Sequence, residues 1–75
     1  MDVVVYSTKN CAFCKVEKQW LDSKGVKYGV VDLEEDTELR RAFERMDMRG
    51  VPITKIGDSF IQGFDRMKLS EALGI

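Results

Sequence analysis

There is no histidine anywhere in this chain, and it has one proline and only two cysteines. Each scarcity excludes something. Without histidine the usual side chain for moving protons near neutral pH is missing, so any such transfer falls to thiols, lysines, carboxylates or water. A closed four-ligand zinc site of Cys and His cannot be built within one copy of the chain. No apolar run approaches the length of a membrane span. Charge of a single sign is also lacking. The 12 basic and 13 acidic side chains are interspersed and leave a net charge of −1. Such a surface has no field suited to capturing nucleic acid or an anionic membrane.

What remains is the composition of a small globular protein, 44% hydrophobic and 33% charged over 75 residues. A chain of this length is expected to be one domain, 1–75, near the lower limit for a single core. Its start, "MDVVVYS", reads directly as a strand and lacks the basic and apolar regions of a secretory leader, so a cytoplasmic location is expected. Thiols there are kept reduced, and a structural staple is disfavoured. A bridge between Cys11 and Cys14 closes a very short loop and stabilises little.

The elements follow from periodicity. Val3 to Tyr6 is a short β-branched run of the kind buried on both faces. From Cys11 the pattern becomes helical, with Phe13, Val16 and Trp20 recurring among charged residues until Gly25 signals a stop. Val26 to Leu33 reads as a second strand. Asp36 or Thr37 can cap a second helix with an apolar stripe of Leu39, Ala42, Phe43 and Met46. Ile53–Ile56 and Ser59–Gln62 form a hairpin around Gly57-Asp58. Asp65 caps a last helix through Leu73, with Phe64 and Leu69 placed as a hydrophobic staple. The expected order is β-α-β-α-β-β-α. Trp20, Phe43 and the four methionines are expected in or near the core.

Both thiols lie in "STKNCAFCKVEKQW", where a strand passes through a short loop into a helix. The helix start offers unpaired N–H groups and a positive dipole end, which favour a thiolate, and Lys9 and Lys15 add positive charge. A dipole contribution of roughly 0.3–2 kcal/mol lowers a thiol pKa by about 0.2–1.5. From about 8.5 that reaches only about 7 to 8 without further N–H···S bonds or lysine charge. The Cys11 thiol is therefore expected to ionise more readily than a free one. The larger benefit is in departure, because a stabilised thiolate leaves more easily when Cys14 resolves a mixed disulfide. Two inert core cysteines, a metal or iron–sulfur carrier sharing ligands between two chains, and a copper-type metallochaperone are the rival readings. The last has the order β-α-β-β-α-β, and "EEDTELRRAFERM" puts a helix where that order requires a strand.

A strand followed by "YSTKNCAFC", then "RGVPI", then "IQGFD" resembles a glutaredoxin, including the small glutaredoxin-like redoxins that serve ribonucleotide reductase. The resemblance runs over essentially the whole chain. It implies a minimal thioredoxin fold, a four-stranded mixed sheet with three helices, acting as a monomeric thiol-disulfide oxidoreductase with no bound cofactor or metal. By the same resemblance Cys11 is the nucleophile, Cys14 the resolving thiol, and Val51–Pro52 a cis peptide whose Val51 backbone pairs with a substrate chain. The Gly63-Phe64-Asp65 segment then meets the γ-glutamyl end of glutathione, and Lys9 meets a glutathione carboxylate. Phe13 and Arg49 complete the candidate binding residues. Partners so implied are disulfide-containing proteins, with glutathione as co-substrate or thioredoxin reductase as electron donor. Four departures stand out. Ala12 replaces a common proline and Phe13 a frequent tyrosine; Gly50 stands where glutathione-binding members often have threonine, and Gln62-Gly63 replaces Gly-Gly. The last two lean towards reduction by thioredoxin reductase.

Overall fold

In the computed structural model, which describes residues 2–48 and 50–75, the order is β1 (Val3–Ser7), α1 (Ala12–Ser23), β2 (Gly29–Asp32), α2 (Thr37–Arg45), β3 (Ile53–Ile56), β4 (Ser59–Gln62) and α3 (Arg66–Leu73). The strands lie in the order β2-β1-β3-β4. β1 runs parallel to β2, from Val4 opposite Gly29 to Ser7 opposite Asp32, and the other pairings are antiparallel. This is the four-stranded mixed sheet with three helices expected from the sequence.

The period of two in the strands sorts the core into two layers. On one face Val3, Ile56 and Ile61 pack with Leu69 of α3 and Trp20 of α1. On the other face Ile53 and Tyr6 meet Leu33, Phe43 and Leu39. The Phe43 ring there stands edge-on to Tyr6 at 4.9 Å and to Phe60 at 5.7 Å. Leu21 and Leu69 are fully buried, each contributing about 1.5–3 kcal/mol of burial. β1 supplies side chains to both layers, as its unbroken apolar run requires.

Caps set the helix limits. The carboxylates of Asp36 and Asp65 accept from the backbone N–H groups of Leu39 (3.0 Å) and Lys68 (3.1 Å), which fixes the starts of α2 and α3. Gly74 closes α3 in the left-handed conformation, at φ 72°.

Three sequence expectations are corrected. β2 is shorter than Val26–Leu33, because the ladder with β1 begins only at Gly29; Val26 and Tyr28 instead pack under the Leu69 cluster. Met46 and Met67 are exposed, the first because it caps α2 after its last turn, while the fully buried Leu69 carries the inner face of α3. The third correction concerns α1. Its inner stripe is Cys14, Glu17 and Leu21, whereas Phe13 (67% exposed) and Val16 (45%) face outward.

Candidate functional site

The site forms where one end of the sheet meets the start of α1. β1 ends at the buried Ser7, and the chain turns through Lys9 and Asn10 into Cys11. Cys11 is the N-cap of α1, in extended conformation at φ −108°, ψ 105°, and its sulfur accepts the N–H of Cys14 at 3.1 Å. Its carbonyl accepts from Lys15 at 3.3 Å. A sulfur thus fills the place that a Ser, Thr, Asp or Asn oxygen usually takes. The first turn of α1 holds no acidic residue, whereas Glu38 occupies that position in α2. The positive end of the α1 dipole is left facing sulfur alone.

Cys14 lies one turn on, buried, and is bridged to Cys11 with the Cα atoms 5.2 Å apart. Cys11 is the more accessible of the two, at 9% against 1%. Cys14 is thus the deeper of the two sulfurs.

The sheet register gathers the other candidates at this end. Ile53 lies opposite both Tyr6 of β1 and Gln62 of β4. Pro52, Gly63 and the last residue of β1 are therefore level with one another at the rim. Val51–Pro52 is a cis peptide, as the resemblance implies. The Pro52 carbonyl accepts from the Gly63 N–H at 2.8 Å, and Gly63 takes φ 80°, which favours glycine. Phe64 stands edge-on to Trp20 at 6.1 Å, and Asp65 caps α3. Phe13 projects into solvent beside Cys14 in sequence. Lys9 lies on the β1–α1 loop, with its ammonium 3.8 Å from Glu35 and both side chains exposed. Arg49 lies outside the described residues.

Two clefts reach this rim. One of about 180 Å³ is lined by Ser7, Thr8, Lys9, Cys11, Lys15, Lys18, Val30 and Asp32. The other, about 510 Å³, runs between Thr8, Glu34, Arg40, Glu44, Gly50 and Val51. Thr8 and Arg40 were not legible as site residues, because neither belongs to a motif and only the fold brings α2 alongside Val51. A further concavity, about 680 Å³, lies around Asp2, Lys27, Gly57 and Asp58 at the opposite end of the sheet. It is remote from the thiols. Among the described residues no group of three or more Cys, His, Asp or Glu is placed to hold a metal ion, and no helix is long and apolar enough to cross a membrane.

Two departures noted in the sequence meet in space. A Cβ on Gly50 would lie 3.2 Å from the Gln62 side-chain nitrogen, so a threonine at 50 and a glutamine at 62 compete for one volume.

Beneath the dithiol is the residue that sequence reasoning missed. Glu17 is wholly buried and accepts a hydrogen bond from the Thr54 hydroxyl through Oε2. Its Oε1 has no partner among the described residues. Burial pushes its carboxyl above the ordinary range, and the Thr54 hydrogen bond opposes this. A signal was available. Phe13-Val16-Trp20 and Cys14-Glu17-Leu21 have the same spacing, rotated by one residue, and hydrophobicity favours the first. If Cys14 must face Cys11 over the sheet end, however, Glu17 must face the sheet.

The glutaredoxin family model matches residues 3–61. A glutaredoxin from Ricinus communis is 36% identical over 76 residues, covering 96% of this chain and 74% of that protein. The glutaredoxin-like protein NrdH of Lactococcus lactis subsp. cremoris is 29% identical over 69 residues, covering 92% and 96%. In fold, the NrdH-redoxin from Escherichia coli superposes with a TM-score of 0.89 at 20% identity, covering 95% of this chain and 93% of that one. With a Cys-x-x-Cys dithiol at a helix start beside a cis-proline, and with these relatives, the chain belongs to the glutaredoxin family of thiol-disulfide oxidoreductases.

Proposed function

We propose that this chain, acting as one domain, reduces disulfides in protein substrates by dithiol exchange and receives its electrons from a thioredoxin-reductase-type flavoprotein in preference to glutathione. The Cys11 thiolate attacks a substrate sulfur, forming a mixed disulfide and releasing one substrate thiolate. Cys14 then attacks the Cys11 sulfur; the Cys11–Cys14 bond forms and the second substrate thiolate departs. Val51, which lines the 510 Å³ cleft, pairs with the substrate backbone. Gly63, tied to the Pro52 carbonyl, brings Phe64 and Asp65 to the same rim.

The observation that carries this reading is the Cys11 sulfur serving as N-cap, with an amide N–H aimed at it. That arrangement stabilises the anion both as nucleophile and as leaving group. The choice of donor is supported by Gln62 occupying the space beside Gly50. It also agrees with what is said of the E. coli NrdH-redoxin, a thioredoxin-like activity profile. The test is a disulfide-reduction assay run in parallel with thioredoxin reductase and with glutathione plus its reductase. Turnover is expected chiefly in the first arm. Faster turnover in the glutathione arm contradicts the donor assignment, and no turnover in either contradicts the function.

A further inference from the structure

We propose that Glu17 is the internal proton acceptor for Cys14, taking the thiol proton as Cys14 attacks the mixed disulfide at Cys11. The proposal rests on the assignment of Cys11 and Cys14 made above.

The chain has no histidine to do this work. Cys14 is buried, so its proton has no direct route to bulk water, yet the thiol must become a thiolate to act. Glu17 follows Cys14 by three residues on the inner stripe of α1, a spacing that puts their Cβ atoms about 5–6 Å apart on one face. One carboxylate oxygen is held by Thr54 of β3, and the other has no partner among the described residues. A buried oxygen without a partner is costly unless the site uses it.

The surroundings leave few competitors. Thr54 lies opposite Val5 of β1 and Ile61 of β4, so its cross-strand neighbours on that face are apolar. Among the described residues the buried polar or charged side chains are Ser7, Glu17 and Thr54 alone. Among the described residues no buried cation neutralises the carboxylate. Its raised pKa narrows the gap to the thiol, which makes it a better base for that proton than an exposed carboxylate.

The step balances. The proton passes from Cys14 Sγ to the Glu17 carboxylate. The Cys14–Cys11 bond forms, the bond from Cys11 to the substrate sulfur breaks, and the electron pair leaves on the substrate thiolate. The protonated Glu17 returns the proton to Cys14 when the Cys11–Cys14 bond is later reduced and Cys14 departs as a thiolate.

The reduced protein is mixed with 5,5′-dithiobis(2-nitrobenzoate) by stopped flow. Cys11 releases the first thionitrobenzoate and Cys14 the second. Glu17→Gln keeps the shape and an acceptor for Thr54. It is expected to leave the first phase unchanged and slow the second roughly a hundredfold, and to abolish a low-pH limb in the second-phase profile of the native protein. Thr54→Val removes the hydrogen bond that lowers the carboxyl pKa, so it should move that limb to higher pH, while Thr54→Ser leaves it in place. A second phase in Glu17→Gln within twofold of native, with the same pH profile, overturns the proposal. If that variant does not fold, a native second phase governed by the thiol ionisation alone overturns it equally. Release of the first thionitrobenzoate by Cys11→Ser as fast as by the native protein shows instead that the cysteine roles are wrong.

Discussion

At the scale of single residues, the two sulfurs differ in depth, and the proposed function assigns them different parts of one task. Cys11 is reachable and Cys14 is covered, so the same substitution should have unequal effects. Cys11→Ser is expected to abolish disulfide reduction altogether. Cys14→Ser should stop dithiol turnover while still forming a stable mixed disulfide, seen as an added mass on the intact protein. Equal residual dithiol activity in both variants contradicts the assigned roles. Glu17 carries a stability signature as well. Its carboxyl pKa is raised on folding, so the folded state binds the extra proton in the interval between the unfolded and folded values. Stability therefore falls as pH rises from about 4.5 through the folded value, and the loss is complete above it. Glu17→Gln, which cannot ionise, is expected to melt higher than native protein at pH 8 and to lose that advantage in acid. A native protein that is equally or more stable than the variant at pH 8 speaks against an ionised, poorly solvated Glu17.

Among the elements, those with chemical punctuation were the legible ones. The hairpin limits at Ile53–Ile56 and Ser59–Gln62 and the run of α3 from its Asp65 cap to Gly74 follow the sequence expectation residue for residue. Turn and cap residues act locally, so a local reading finds them. β2 was overextended because β-branched residues signal strand propensity whether or not a neighbour strand is present to pair with. The inner face of α1 was misread for a related reason. Amphipathic pattern assumes that apolar residues turn inward, and here the sheet end is served by a thiol and a carboxylate while Phe13 is left outside. Outward exposure of a phenylalanine next to the reactive pair, and burial of a glutamate beneath it, are the kind of local inconsistency that function imposes. Asp65 belongs at this scale too, since it caps the start of α3 and follows Gly63 and Phe64 from the cis-proline rim. Asp65→Ala should cost about 1 kcal/mol in denaturant unfolding. Asp65→Asn keeps a capping oxygen and should unfold close to native, so any rise in KM for a glutathionylated substrate isolates the charge from the cap. An unchanged KM assigns Asp65 to the helix alone.

For the whole molecule, the architecture was legible because helix and strand signals alternate in an order that few small folds share. The sheet order β2-β1-β3-β4 was not derivable from periodicity and is seen only in the structure, whereas the cis peptide at Val51–Pro52 was implied by the family resemblance. What neither source revealed was the meeting of distant residues: Thr8 and Arg40 with Val51, Gly50 with Gln62, and Thr54 with Glu17 across 37 positions of chain. Those contacts are set by packing, which a local reading of the chain does not reach. The central claim is that α1 begins on a sulfur and holds it as an anion. Ultraviolet titration of the reduced protein and of its two single-serine variants measures this directly. One thiol should ionise below the value of about 8.5 for free cysteine, with the low step retained in Cys14→Ser and lost in Cys11→Ser. Two thiols that both titrate at or above the free value contradict the account.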